Sequence, residues 1–195
     1  MKYLLIILSS FIIFSCNNDD DIPTIEPTPE PNKEEIYKFS TNYNILDQKY
    51  YKGSDGKEYT SEADVFFKKQ WSFYNDPSIK TIQIKKDSVI INENLVVQKF
   101  KFIKDGNNIL IKDGEKNVLL GYTDSSKKSL NIYKNYQTSL IISNKETNET
   151  LYKKGSNYGK ISYNDVFPLI VSSPTELTAI GEYVFWSNIE YTFTK

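Results

Sequence analysis

From residue 79 onward the chain alternates short β-prone runs with turn residues, and within the runs apolar and polar positions alternate with period two. In residues 79–85, Ile82 and Ile84 share one face and Gln83 and Lys85 the other. Residues 88–92 form a second run. In residues 95–103, Val96, Phe100 and Phe102 lie opposite Lys99 and Lys101. Residues 108–112, 117–122, 129–134, 138–143 and 150–153 continue the series. In the last run, 189–194, Ile189, Tyr191 and Phe193 oppose Glu190, Thr192 and Thr194. Asp105-Gly106 and Asp113-Gly114 fall between runs, where Asp-Gly supplies the two positive-φ positions of a tight hairpin turn. Lys86-Asp87 and Glu93-Asn94 are further turn candidates. Short strands joined by tight turns pair antiparallel with their neighbours, which predicts an all-β antiparallel meander closing into a barrel.

A single helix is predicted. Ser61 would cap it, with Asp64 three residues on, and Ala63, Phe67, Trp71 and Tyr74 would form one apolar stripe that closes an end of the barrel. Residues 155–174 carry fewer strand signals and two glycines, and read as a long loop or a lid. A short helix, then Trp71, then a meander of about eight strands resembles lipocalin-like domains. The resemblance covers most of residues 60–195 and implies a barrel of that kind with one short helix at its N-terminal side.

The chain opens with Met1 and Lys2 and a run of twelve largely apolar residues, 3–14. A bilayer-spanning helix needs about 20 apolar residues, so this run fits a signal-peptide core instead. It ends at Ile13-Phe14-Ser15-Cys16, which resembles the lipobox of bacterial lipoproteins. That resemblance implies a signal peptide over 1–15 and cleavage before Cys16. A diacylglyceryl thioether would sit on the Cys16 sulfur and an acyl group on its new amine. Each buried methylene adds roughly 0.8 kcal/mol of membrane affinity, so three chains anchor durably. Asp19, Asp20 and Asp21 follow at once and resemble the export signal that takes Bacteroidetes-type lipoproteins to the cell surface. The expected location is the outer membrane, lipid-anchored and facing outward. Residues 22–32 hold Pro23, Pro27, Pro29 and Pro31 and cannot pack a core. Residues 16–36 therefore read as an anchor and tether, and residues 37–195 as the folded domain.

Charge divides the same way. Residues 16–36 carry seven acids and one Lys, and residues 37–195 carry eighteen acids and 22 Lys, so a tether of −6 precedes a domain of +4. A domain this close to neutral does not call for a nucleic-acid partner. The chain contains neither His nor Arg and only one Cys. These absences exclude His-activated nucleophiles, His metal sites, Arg clamps and an internal disulfide. Ser–Lys chemistry at Ser125-Ser126-Lys127-Lys128 reads as a polar turn. Glu182 with Glu190, or Asp113 with Glu115, would be candidate carboxylate pairs for glycoside hydrolysis. Asp55-Gly56-Lys57-Glu58 lacks calcium-loop spacing. Asp87-Ser88-Val89 resembles a short bacterial O-glycosylation signal. No cofactor and no metal site is expected.

Tyrosine is abundant, with 15 in the chain, and its ring and polar tip suit an amphipathic cavity. The densest aromatic cluster is Tyr183, Phe185 and Trp186. Trp186, Tyr183 and Trp71 are the expected ligand-facing residues, with Phe185 on the opposite face from Trp186. Three readings follow. The first is a membrane-anchored, non-catalytic module binding a small amphipathic molecule or glycan. The second is a filled barrel that docks onto another envelope protein. The third is a carboxylate-dependent glycoside hydrolase.

Overall fold

The structure is a computed structural model that describes residues 34–75, 77–144, 146–161 and 173–195. The signal segment, Cys16, Asp19, Asp20, Asp21 and most of the tether lie outside the described residues. The elements are β1 (Glu35–Lys52), β2 (Lys57–Glu58), α1 (Thr60–Gln70), β3 (Ile79–Ile84), β4 (Ser88–Glu93), β5 (Val97–Asp105) and β6 (Asn108–Asp113). They continue with β7 (Lys116–Thr123), β8 (Ser129–Asn144), β9 (Glu149–Tyr158), a 3-10 turn at Pro174–Glu176, and β10 (Tyr183–Thr194).

The strands pair antiparallel in the order β1-β3-β4-β5-β6-β7-β8-β10, and β10 pairs back onto β1, closing an eight-stranded barrel. The all-β barrel with one short helix is therefore the fold. The start of β8 pairs with β7 through Thr123↔Leu130, and its remainder pairs with β9, which adds a further strand outside the ring. The runs expected at 129–134 and 138–143 are one strand of 16 residues, β8. The helix does not lead the barrel; it lies between β2 and β3, behind a strand the alternation did not announce. That strand, β1, takes in Glu35 and Ile36, so the fold begins inside the stretch read as tether.

The hairpin turns form where Asp-Gly predicts them, with a different division of labour. Asp105 pairs with Asn108 and Asp113 with Lys116, so each Asp ends its strand. Gly106 (φ 58°) and Gly114 (φ 60°) alone take the positive φ, at the first turn position, as type II′ turns require. The helix also starts differently. Tyr59 is its N-cap and no side chain caps it, so Ser61 lies inside the first turn.

Inward-facing side chains divide the barrel into two halves. At one end Tyr37, Ile82, Val89, Ile109, Leu120, Leu130 and Phe193 are essentially inaccessible and fill the interior. The Tyr37 hydroxyl donates to Glu35 Oε2 at 2.9 Å and to the Lys127 carbonyl at 3.2 Å, sealing that end. At the other end α1 lays Ala63 and Phe67 against Tyr50, Tyr136 and Phe185. The helix covers only part of this end, and the stretch after it forms the wall of a cavity.

A smaller cluster of Ile141, Leu177, Val184 and Trp186 sits on the outer face of β8 and β10. Glu182, only 4% exposed, holds this cover in place. Its carboxylate accepts from the backbone N–H groups of Ile142 (3.0 Å), Thr178 (2.9 Å) and Ala179 (2.9 Å). Asn188 adds a bracket, donating to the Ile161 carbonyl and accepting from the Ile161 N–H, both at 2.9 Å. Gly155 belongs to β9, and residues 162–172 of the expected loop lie outside the described residues.

Candidate functional site

The period-two geometry of β8 sends Leu130, Ile132, Lys134 and Tyr136 inward, and that of β4 sends Val89, Ile91 and Glu93 inward. Two charged residues thus stand in phase with apolar ones and meet inside the barrel. Lys134 is 9% exposed, and its Nζ lies 3.7 Å from Glu93 Oε1. The same carboxylate oxygen accepts a short hydrogen bond from the Tyr158 hydroxyl. Tyr158 is the register partner of Lys134 across β8 and β9, which places its ring 5.2 Å from the ammonium. Burial pushes the Lys134 ammonium below the usual lysine range, and Glu93 opposes that shift.

Beside this triad, the Tyr136 hydroxyl bonds the Tyr191 hydroxyl at 2.8 Å, and Tyr191 donates to the Tyr74 carbonyl. This relay ties the turn after α1 to β8 and β10. Burial raises the Tyr136 hydroxyl to about 12 and raises Tyr158 and Tyr191 further, so all three stay protonated donors at neutral pH.

Lys134 stands between two cavities. The first, of about 420 Å³, is walled by Trp71, Phe73, Tyr74, Ser78, Lys80, Asn94, Lys134 and Tyr136, among others. The second, of about 370 Å³, is more polar and is lined by Glu93, Gln98, Phe100, Asp113, Lys134, Asn157 and Tyr158, among others. Volumes of about 300–1,000 Å³ are those of small-molecule sites. Phe73, 80% exposed, lines the first cavity, and Leu95, 96% exposed, follows the lining residue Asn94 in the β4–β5 turn.

The three aromatic residues expected to face a ligand are not brought together. Trp71, at the C-terminal end of α1, lines the first cavity and packs its ring 5.6 Å from Tyr136. Tyr183 faces inward but is packed against Tyr50 and Phe66, in the wall behind the helix. Trp186 points the other way. Phe185 takes the inward position on β10, so Trp186 faces out, where it stacks on Tyr51 at 5.8 Å under the outer cover. Trp186 is thus a packing residue of the outer cluster.

The carboxylate pairs read from the sequence also come apart. Glu190 lies in β10 and Glu182 immediately before its first residue, seven extended residues from Tyr183 to Glu190, roughly 23 Å at 3.3 Å per residue, far beyond the reach of a glycosidic bond. Glu182 is occupied by backbone donors, and Glu190 accepts from Tyr122 at 3.1 Å. Asp113 ends β6 and Glu115 is the second residue of the hairpin turn that follows, and Asp113 lines the second cavity. Asp55 accepts from the Lys57 N–H at 3.1 Å inside its own turn. Ser126 bonds Asp124, which also accepts from the Ser129 N–H, so the Ser-Lys stretch is a turn. Ser88, 2% exposed in β4, is not presented as a glycosylation acceptor. Among the described residues no three His, Cys, Asp or Glu side chains form a group that could hold a metal.

Lys134, Glu93 and Tyr158 were not singled out by the sequence reading. The signal for them was present as a charged residue in phase with an apolar strand face, Ile132-x-Lys134-x-Tyr136 and Ile91-x-Glu93. Reading it required treating 129–144 as one strand. The described domain is thus an antiparallel eight-stranded barrel, filled at one end and carrying a helix-walled, cavity-forming polar site at the other. Compared with known protein families, with curated proteins and with solved structures, the chain matches none.

Proposed function

We propose that this domain is a non-catalytic binding module that takes a small amphipathic molecule or a glycan into the cavity beside α1. The observation that carries this reading is the cavity at the helix end of the barrel. The interior is packed solid at the Tyr37 end, yet about 420 Å³ stays open between Trp71, Tyr136 and Lys134. An apolar wall with a few convergent polar groups is the usual form of a small-molecule site.

Tryptophan emission tests it, because the chain holds two tryptophans and, of the two, Trp71 lines this cavity. Titration with a panel of envelope glycans and lipids is expected to change the emission of the wild type and of Trp186→Phe. The same titration of Trp71→Phe is expected to leave the emission unchanged. A response that survives in Trp71→Phe and disappears in Trp186→Phe would move the site to the outer face. Silence across the panel would favour a partner-docking role, with Phe73 and Leu95 as the exposed apolar groups.

The lipobox-like Ile13-Phe14-Ser15-Cys16 supports attachment of this module to the outer membrane through Cys16, and Asp19, Asp20 and Asp21 support display at the cell surface. Cys16→Ala is expected to abolish acyl labelling and to move the processed protein out of the detergent phase. Unchanged detergent partitioning of that variant would remove the anchor reading.

A further inference from the structure

We infer that the ligand of the cavity beside α1 is an organic anion whose ring lies against Trp71 and Tyr136 and whose acidic group is held by Lys134, with Lys80 at the mouth. This rests on the cavity being a binding site, and it adds the ligand's charge and shape. The cavity wall contains two ammonium groups, Lys80 and Lys134, and among the described residues no carboxylate lines it. A third, Lys154, lies 5.1 Å from the Trp71 ring and donates to the Gln70 carbonyl at 2.7 Å. The acids Glu93 and Asp113 line the other cavity, behind Lys134. Among the described residues the carboxylates thus gather in the second chamber, and the chamber that holds Trp71 is lined by ammonium groups.

Among the described residues the charge partner of Lys134 is Glu93, at ion-pair rather than hydrogen-bond distance. An ammonium has three N–H donors, and the Glu93 oxygen stands 3.7 Å away, outside hydrogen-bond range. That oxygen is already engaged by Tyr158. Because Lys134 also lines the cavity, an anionic group arriving there at about 2.7–2.9 Å would take charge-assisted bonds from its ammonium. Trp71, Tyr74 and Tyr136 offer flat apolar surface beside that point, which suits a planar or ring-shaped body.

A matched pair of fluorescent probes tests the inference on the intact domain. 1-Anilinonaphthalene-8-sulfonate and N-phenyl-1-naphthylamine share a ring system and differ by one sulfonate. Binding is read by energy transfer from Trp71, with Trp71→Phe as the blank. The anionic probe is expected to bind about tenfold more tightly than the neutral one. Lys80→Gln, at an exposed position, is expected to cut that preference by about threefold. Lys134→Met combined with Glu93→Gln is expected to erase it while keeping the neutral probe bound. The double change is used because removing Lys134 alone would leave Glu93 as a buried, unpaired charge. Equal binding of the two probes, or a preference for the neutral one, would overturn the anion inference and leave the cavity as a site. Failure of both probes to approach Trp71 would overturn the binding function itself.

Discussion

Phe67→Ala is expected to destabilise the domain by about 3–5 kcal/mol, the range for deleting a fully buried phenylalanine. Phe67 is inaccessible to solvent and sits at the centre of an aromatic knot. Its ring lies 5.0 Å from Tyr74, 5.4 Å from Tyr136, 5.6 Å from Trp71 and 5.7 Å from Phe185. These rings belong to the post-helix turn, β8, the helix end and β10, so one side chain joins the helix to the barrel and braces the cavity wall. For a domain of this size the loss corresponds to a drop in Tm on the order of 10 °C. Thermal unfolding followed by circular dichroism measures it, with exposed Val65→Ala on the same helix as the control, expected to change stability by less than about 0.5 kcal/mol. Emission from Trp71 should shift to the red in Phe67→Ala as its packing loosens. Equal melting temperatures for the two variants would show that the helix is not fastened through Phe67.

The helix and most of the barrel were legible because their residues obey simple periods. Ala63 and Phe67 are buried as the stripe predicts, and Ile189, Tyr191 and Phe193 face inward as the alternation predicts. β1 was not legible because it departs from period two. Its register against β10 shifts between Phe39 and Tyr43 and again between Leu46 and Lys49. Thr41 (φ 67°) and Asp47 (φ 44°) take positive φ in these interruptions. Inward positions therefore run Tyr37, Phe39, Tyr43, Ile45 and then Tyr50, changing parity at the second bulge. No fixed spacing connects them. Polar residues between them, such as Ser40, Thr41 and Asn42, lower the strand signal further.

Trp186 was misplaced for a related reason. Residues 184–189 of β10 are buried on both faces, because the outer cover rests on the strand that also lines the barrel. A strand covered on both sides reads as a continuous apolar run, and composition alone does not say which parity faces in. The cavity residues follow the opposite logic. Lys134 and Glu93 violate the apolar pattern of their faces, and such violations are where a functional site is expected to show.

Glu182 separates a structural carboxylate from a catalytic one. The sequence offers it with Glu190 as one of two candidate carboxylate pairs, whereas the fold uses it to collect three backbone N–H groups from β8 and from the turn ahead of β10. Its own carbonyl accepts from the Gly53 N–H at 2.9 Å, which ties the β1–β2 turn to the same point. Glu182→Ala would leave three donors without an acceptor, each costing about 1–3 kcal/mol where water cannot replace it. Partial solvation of the turn brings the expected total to about 3–5 kcal/mol. Glu182→Gln keeps one carbonyl oxygen and turns the other acceptor into a donor facing an N–H, so a loss of about half that size is expected. Denaturant unfolding gives both values. The outer cover should loosen in step, exposing Trp186 to a collisional quencher while Trp71 keeps its wild-type quenching. A glycoside panel is expected to show no turnover by the wild type or by either variant. Turnover by the wild type that disappears in Glu182→Gln without loss of stability would restore the hydrolase reading and make the backbone clamp incidental.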